Sequence, residues 1–247
     1  MTERSLFSGS EDVGYEYKAV EDNYKRIKEN ISLAMDKAGR SQENDKVRLM
    51  AVTKTVPYEK INYAVSLGID LLGENRVQEF LSKNEFYDKK AEVHFIGGLQ
   101  SNKVKYIIDK VHMIHSVDSV KLVDEISKRA LSSGRVMDIL IEINIGNEES
   151  KGGIKAEDAD GIADYCAEQK GVRLRGFMTI PPVDVGGSNS LYFQQMQKIY
   201  SDCKAKHGSI DTLSMGMSGD YEQAVLYGSN IVRIGSALFG SRRYPAL

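Results

Sequence analysis

The sequence has few of the features that mark secreted, membrane-spanning or nucleic-acid-binding proteins. Its 247 residues include two cysteines, Cys166 and Cys203, too few and too far apart for a disulfide framework or a zinc site, so we expect a reducing, cytoplasmic compartment. The polar N-terminus lacks the apolar core of a signal peptide, and no apolar run approaches the roughly 18 residues of a membrane span. The net charge is −2 with both signs interspersed, which argues against a nucleic-acid partner.

The composition, 41% hydrophobic and 28% charged, is typical of one folded domain of this length. Residues 1–13 are predicted to be disordered, and residues 14–247 to form a single domain. Apolar residues at steps of three and four predict an extra N-terminal helix from about Asp12 to Ala38, with Gly39 placed to end it. The irregular stretch Pro181–Asn189 is predicted to be a mobile loop on the active face.

Strand-like and helix-like runs alternate through the rest of the chain. The predicted strands are Val47–Thr53, Ile69–Gly73, Val93–Gly97, Met113–Ser116, Met137–Ile145, Leu174–Ile180, Thr212–Met217 and Ile231–Ser236. Eight alternations, with several strands apolar on both faces, favour an α/β fold in which parallel strands close into a (β/α)8 TIM barrel. A doubly wound open sheet is the alternative, but its usual glycine-rich fingerprint is absent after the first strand.

The functional residues of such a barrel lie at the carboxyl ends of the strands, and the first strand ends near a lysine. Alternation places Met50, Val52 and Lys54 on one face. If that face points inward, Lys54 lies at the barrel mouth above an apolar floor, where burial favours the neutral amine that forms Schiff bases. A lone strand-end lysine more often reaches solvent, so the rest of the site must decide between the two interpretations.

The last two strands offer an arginine and small polar residues. Arg233 shares a face with Gly235, and a charged group pointing inward needs a polar or anionic partner; the alternative is an arginine that faces the helices. Barrels commonly bind phosphate with the loops after strands seven and eight, where Ser218, Gly235 and Ser236 occur. Ser218 is also a candidate N-cap of the next helix.

Weaker candidates complete the predicted mouth. Asn75, just after strand two, is placed to hydrogen-bond a ring hydroxyl, and Glu142 and Asn144 share one face of strand five. Lys151 lies in a turn that is most simply a solvated loop. His94 is predicted to be a core histidine bonded to a carbonyl, and the spacing of the histidines predicts no metal site.

Five motifs, in register from about Val47 to Gly240, resemble the signature of the pyridoxal phosphate homeostasis protein family (the YggS/PROSC family). They are Ala51-Val52-Thr53-Lys54-Thr55, Gly73-Glu74-Asn75, His94-Phe95-Ile96-Gly97-Gly98-Leu99-Gln100 with Asn102-Lys103, Ser214-Met215-Gly216-Met217-Ser218, and Arg233-Ile234-Gly235-Ser236-Ala237. The resemblance implies the fold of the N-terminal barrel of alanine racemase and pyridoxal 5'-phosphate as the cofactor.

The resemblance also assigns roles to residues. It implies that Lys54 carries the cofactor as a Schiff base, that Arg233 adjoins the pyridine nitrogen, and that Ser218, Gly235 and Ser236 contact the phosphate. It further implies that two residues line the ring pocket, namely Asn75 and Met215.

Two positions depart from the family pattern. Val56 stands where many relatives have a second lysine, and Lys151 is the candidate substitute for that amine. Ser236 stands where many relatives have threonine, which keeps the hydroxyl.

The function implied is a monomeric, cytoplasmic carrier and buffer of pyridoxal phosphate in vitamin B6 homeostasis, with apo pyridoxal phosphate enzymes as partners and little or no catalysis. An arginine beside the pyridine nitrogen disfavours its protonation and so weakens the ring as an electron sink. One alternative is a pyridoxal-phosphate-dependent amino-acid racemase or decarboxylase, with Glu142 or Lys151 as acid or base. Another is a barrel enzyme for a phosphorylated sugar.

Overall fold

Eight parallel strands close into a barrel, in which each strand pairs with its neighbours in sequence and the last strand pairs with the first. The structure is a computed structural model that describes residues 8–41, 43, 45–183 and 189–240. The strands are β1 (Arg48–Val52), β2 (Leu71–Glu74), β3 (Glu92–Phe95), β4 (Met113–Val117), β5 (Met137–Ile143), β6 (Val172–Thr179), β7 (Thr212–Ser214) and β8 (Ile231–Ile234). The predicted (β/α)8 barrel is therefore confirmed.

Helices separate most of the strands and surround the barrel. The α-helices are α1 (Ser8–Lys37), α2 (Tyr58–Ser66), α3 (Val77–Lys83), α4 (Val120–Ser132), α5 (Ala159–Glu168), α6 (Asn189–Lys206), α7 (Tyr221–Leu226) and α8 (Ser236–Phe239). Short 3₁₀ helices span Asn84–Phe86, Ser101–Tyr106 and Ala156–Asp158, so the connection from β3 to β4 contains a 3₁₀ helix instead of an α-helix. Within the described ranges, no helix is sufficiently long and apolar to cross a bilayer.

The extra N-terminal helix is present but starts earlier than predicted. It begins at Ser8, so residues 8–13, which were predicted to be disordered, are helical. The prediction followed the apolar stripe, whereas backbone hydrogen bonds extend a helix beyond the residues that pack. The helix ends at Lys37, and Gly39 follows with a φ of +64°. Residues 1–7, and 184–188 of the predicted mobile loop, lie outside the described part of the chain.

Alternation along each strand divides the core into two layers. Outward residues such as Ala51, Leu72 and Ile234 join the layer between barrel and helices. The barrel interior contains two smaller apolar clusters, Met50, Val52, Leu71, Ile96 and Ile231 in one and Met113, Leu140 and Met178 in the other. Helix α1 packs against α2, α7 and α8, on the side of the barrel where β1 meets β8. This junction positions the candidate site.

Candidate functional site

Lys54 lies at the carboxyl end of the barrel, where β1 meets β8. It follows Val52 on the inward face, and Arg48–Ala51 pair with Ile231–Ile234, so the residues that follow the two strands are neighbours. Lys54 and Val52 line one cavity of about 610 Å³ together with Gly235 and Ser236. A volume between about 300 and 1,000 Å³ is typical of small-molecule sites. Barrel closure thus brings three of the predicted residues together.

A buried carboxyl group supports the strand end that carries this lysine. Glu74 is fully buried, and its Oε1 accepts hydrogen bonds from the Thr53 hydroxyl at 2.6 Å and from the Tyr87 hydroxyl. Burial raises the pKa of Glu74, and the hydrogen bonds from Thr53 and Tyr87 and the charge of Lys83 oppose that effect. The Thr53 hydroxyl is therefore fixed next to Lys54.

Helix α3 fixes the segment 53–56, which we call the lysine loop. Lys83 Nζ lies within hydrogen-bond distance of the carbonyl oxygens of Thr53 (3.1 Å) and Val56 (3.3 Å), and it pairs with Glu79 Oε1 at 2.7 Å. The same Glu79 oxygen accepts the Thr55 N–H at 2.6 Å. Thr55 has a φ of +63°, a left-handed conformation that costs free energy for a β-branched residue unless contacts enforce it. These contacts provide that enforcement.

Arg233 points into the barrel, which decides between the two orientations that the sequence left open. It is 3% exposed, and its NH1 donates to the Ser214 carbonyl and hydroxyl oxygens at 2.8 Å, while NH2 donates to the Thr179 carbonyl at 2.7 Å. Burial lowers the pKa of Arg233 to about 10, and the charges of Glu142 and Asp220 oppose that effect. The guanidinium therefore stays cationic at neutral pH.

The loops after β7 and β8 touch each other through Ser218. Its Oγ accepts the Ala237 N–H at 3.2 Å, and the N-cap position of α7 is Asp220, so Ser218 does not cap that helix. The Asp220 carboxylate instead accepts the N–H of Met217 at 2.6 Å. Gly216 turns the chain with a φ of +91°, at a position where a Cβ would lie 2.5 Å from the Cβ of Ala224. This turn brings Ser218 next to the start of α8.

The two residues predicted to line the ring pocket have different positions. Asn75 is half-buried, and its side-chain oxygen has no hydrogen-bond partner among the described residues, so it remains available to a ligand. Met215 is fully buried in the layer between barrel and helices. Because Ser214 faces inward to Arg233, alternation turns Met215 outward. The structure therefore does not bring Met215 to the cavity.

The polar residues of β5 and its loop lie on another part of the mouth. Burial raises the pKa of Glu142, with Arg233 opposing and Asp118 reinforcing, which is consistent with its predicted inward face. Lys151 is held elsewhere, because its Nζ contacts the Pro181 carbonyl at 3.0 Å and pairs with Glu148.

Residue 56, at which many relatives have a second lysine, lies at the cavity of Lys54. Val56 lines that cavity, and Lys151 is not one of its lining residues. Asn144 supports the loop of Lys151, since its amide nitrogen donates to the Glu148 and Lys151 carbonyls at 2.9 and 3.3 Å. The two amines of the prediction, Lys54 and Lys151, are thus not gathered in one cavity.

The histidine prediction is right about burial and wrong about the partner. His94 is 2% exposed, but its Nδ1 lies 2.9 Å from Nε2 of His115 rather than next to a carbonyl. Sequence spacing does not reveal this pair, because the two histidines meet only through the pairing of β3 with β4. No set of histidine, cysteine and acidic side chains capable of holding a metal ion occurs in the described part of the chain.

The site and barrel match a known class. Residues 23–243 match the family model for the N-terminal domain of alanine racemase, which defines the class of barrel. The pyridoxal phosphate homeostasis protein of Aquifex aeolicus is 44% identical over 222 residues, which are 89% of this chain and 96% of that protein. The protein of the same name from Escherichia coli K12 is 37% identical over 227 residues, 90% and 96% of the two chains.

A solved structure is similar to this chain over nearly its whole length. PipY of Synechococcus elongatus, with pyridoxal phosphate bound, is 27% identical and has a TM-score of 0.76, covering 90% of this chain and 100% of that one. The chain belongs to the pyridoxal phosphate homeostasis protein family.

Proposed function

We propose that this protein binds pyridoxal phosphate covalently through Lys54 and buffers the cofactor within the cell, with little or no catalysis. The observation that carries the proposal is the junction of β1 and β8, where Lys54, Gly235 and Ser236 line one cavity. Its relatives carry the name of pyridoxal phosphate homeostasis proteins, and one of them, PipY, binds that cofactor.

Polar groups in the cavity and on the loops around it fit the chemistry of this cofactor; Gly235 and Ser236 line the cavity, whereas Ser218 and Asn75 are not among its lining residues. A phosphate needs hydroxyl and backbone N–H groups, which Ser218, Ser236 and the Gly235 turn supply. The side-chain oxygen of Asn75, which has no partner within the described chain, is suited to a ring hydroxyl. Lys54 supplies the amine that attaches the aldehyde. We therefore assign Lys54, Asn75, Ser218, Gly235 and Ser236 to the cofactor, and omit Met215.

Arg233 argues for a carrier over an enzyme. When bound, pyridoxal phosphate supplies an electron sink that works best with a protonated pyridine nitrogen. Arg233 is cationic at neutral pH, and its NH1 and NH2 donate to Ser214 and Thr179, so its position in the interior is fixed. A fixed cation near the ring nitrogen opposes its protonation. Of the two acid–base candidates of the racemase or decarboxylase alternative, Lys151 is bound to Glu148 and Pro181.

Absorption, borohydride reduction and peptide mapping test the site. After incubation with pyridoxal phosphate, the wild-type protein should gain a visible band, and reduction should place the cofactor mass on Lys54. Lys60 is the matched control because it lines the same cavity, with its Nζ 3.1 Å from the Phe239 carbonyl. Lys60→Ala should keep the label and Lys54→Ala should lose it. Stoichiometric labelling of Lys54→Ala would refute the assignment.

Hydrogen exchange tests the absence of catalysis. When the loaded protein is incubated with L-alanine in D₂O, the α-hydrogen should exchange no faster than it does with free pyridoxal phosphate. Faster exchange that Lys54→Ala abolishes would instead support the racemase alternative, and release of carbon dioxide from the amino acid would support the decarboxylase alternative.

We also propose a monomeric, cytoplasmic protein that supplies apo pyridoxal phosphate enzymes. The two cysteines, Cys166 and Cys203, are buried free thiols, as a reducing compartment favours. Light scattering at micromolar concentration should give a mass near 27.5 kDa. Transfer to a purified apo-enzyme should restore its activity faster than the same total amount of cofactor released into dilute solution.

A further inference from the structure

A chain of polar contacts crosses the barrel interior from the candidate site to the opposite rim. Arg233 NH1 lies 2.8 Å from Ser214 Oγ, which lies 3.2 Å from Nδ1 of His115. Nε2 of His115 lies 2.9 Å from Nδ1 of His94, and Nε2 of His94 lies 3.6 Å from Oε2 of Glu92. The three inner residues, Ser214, His115 and His94, are at most 2% exposed. We call this chain of five residues the interior relay.

Both ends of the interior relay have fixed hydrogen-bonding roles. Arg233 has only donors, so Ser214 Oγ must accept from it. Contact with His94 and with the Arg48 guanidinium at 2.8 Å holds the pKa of Glu92 at about 2, against the effect of burial, so Glu92 only accepts. The direction of the whole chain is therefore constrained from its two ends.

The two histidines between these ends are neutral. Burial lowers the pKa of His94; Arg48 and His112 add to this effect, and Glu92 opposes it. Burial also lowers the pKa of His115 far below its ordinary value, reinforced by the charges of His94 and Arg233. Each neutral imidazole has one N–H and one acceptor nitrogen, so each histidine has two possible tautomers.

One arrangement of protons satisfies every contact. His94 carries its hydrogen on Nε2, toward Glu92, so its Nδ1 accepts from Nε2–H of His115. Nδ1 of His115 is then an acceptor for the Ser214 hydroxyl hydrogen, which leaves the lone pairs of Ser214 to Arg233. In the reverse arrangement, a lone pair of His94 faces the Glu92 carboxylate and the Ser214 hydrogen loses its acceptor.

We propose that Glu92 is a positioning residue for the cofactor site: by fixing the tautomers of His94 and His115, it orients the Ser214 hydroxyl that holds Arg233. Glu92 is the first residue of β3, at the amino-terminal rim, so it acts across the barrel without touching the cavity of Lys54. The effect on the cofactor rests on the proposed function; the tautomers do not.

Nitrogen-15 NMR of the ligand-free protein tests the tautomers, with signals assigned through His94→Gln and His115→Gln. Wild type should have both histidines protonated on Nε2. In Glu92→Gln the amide can donate to Nε2 of His94, so the Nδ1–H form should appear at both histidines. Asp70→Asn is the matched control, because Asp70 also pairs with Arg48, at 3.3 Å. It should leave both tautomers unchanged.

Cofactor binding tests the consequence at Arg233. Glu92→Gln should weaken pyridoxal phosphate binding roughly five- to tenfold, about the effect of one hydrogen bond, and should shift the visible band, while Asp70→Asn should do neither. Ser214→Ala, which cuts the relay at its other end, should weaken binding similarly and leave the His94 tautomer unchanged.

The two readouts separate the possible failures. Nδ1–H histidines in wild type, or unchanged tautomers in Glu92→Gln, would overturn the proposal whether or not the cofactor binds. If Glu92→Gln altered the tautomers but left the cofactor affinity and the visible band unchanged, the effect of Glu92 would not extend beyond Ser214. That result would overturn the positioning role. A wild-type protein that binds no cofactor would refute the proposed function and, with it, the positioning role, while the tautomer result would still stand.

Discussion

Replacing Lys83 with methionine should loosen the loop that carries Lys54. The lysine ammonium lies against the Thr53 and Val56 carbonyls at 3.1 and 3.3 Å and pairs with Glu79 at 2.7 Å, from a side chain that is 12% exposed. Methionine keeps most of the aliphatic stem but removes every one of these polar contacts. The lysine loop would keep the contact of Glu79 with the Thr55 N–H and the contacts of Thr53 with Glu74 and the Gly73 carbonyl.

The expected cost follows from these contacts. Hydrogen bonds to a charged group contribute about 1.5–3 kcal/mol each, and part of the loss is recovered because water reaches the site. We therefore expect Lys83→Met to lower the free energy of unfolding by about 2–4 kcal/mol. Lys89→Met is the matched control: Lys89 is exposed and donates to the Asn84 carbonyl at 3.1 Å, so its loss should cost under about 0.5 kcal/mol.

The pH dependence of the free energy of unfolding provides a second test of the role of Lys83. Burial would raise the pKa of Glu79, but hydrogen bonds from Lys83 and the Thr55 N–H hold it below its ordinary value. A lowered carboxyl pKa stabilises the fold above the unfolded-state value near 4.3, and that contribution is lost as the pH falls through the folded value. The stability difference between wild type and Lys83→Met should therefore narrow in acid.

Urea denaturation across pH and titration with pyridoxal phosphate measure both effects. The variant should unfold at lower urea and bind the cofactor several-fold more weakly, because the lysine loop no longer holds Lys54 in one position. A variant with the wild-type midpoint and affinity would refute the role of Lys83.

Two further predictions concern the barrel itself. Gly97→Ala should displace Asn75 and weaken cofactor binding, because its Cβ would lie 2.1 Å from the Asn75 carbonyl oxygen; Gly98→Ala, with nothing within 4 Å, should bind normally in the same titration. Because burial lowers the pKa of His94 and His115, the unfolded chain binds more protons, so urea denaturation should show stability falling below about pH 6.5, by at most about 1.4 kcal/mol per histidine at pH 5.5. His94→Gln should lose part of that slope, and an unchanged slope would contradict the assignment.

The position of Lys54 could be predicted from the sequence because it depends on two general rules. Alternation along β1 puts Lys54 on the face of Val52, and closure of the barrel puts the end of β8 beside the end of β1. Gly235 and Ser236 then follow as neighbours. The sequence alone could not show that Arg233 points inward, because its partners Ser214 and Thr179 come from other strands.

Contacts between distant elements could not be predicted in this way. Glu79 and Lys83 are four residues apart on α3, a spacing that equally describes an ordinary surface ion pair. Whether they reach the lysine loop depends on how α3 packs, which the local pattern does not encode. Met215 is a different case, because only the family resemblance assigned it to the ring pocket; the structure buries it in the layer between barrel and helices.

Most hydrogen-bonding atoms of the two charged groups inside the barrel have partners. Arg233 is bound to Ser214 and Thr179, and Glu74 Oε1 to Thr53 and Tyr87, whereas Glu74 Oε2 has no hydrogen-bond partner among the described residues.

An acid–base catalyst needs a group that changes its protonation state next to the reacting atom. Glu142 is the remaining acid–base candidate of the racemase or decarboxylase alternative, and burial raises its pKa while the charge of Arg233 opposes the shift. Replacing Glu142 with glutamine should leave cofactor attachment intact, and any α-hydrogen exchange that disappears with it would identify the catalytic base.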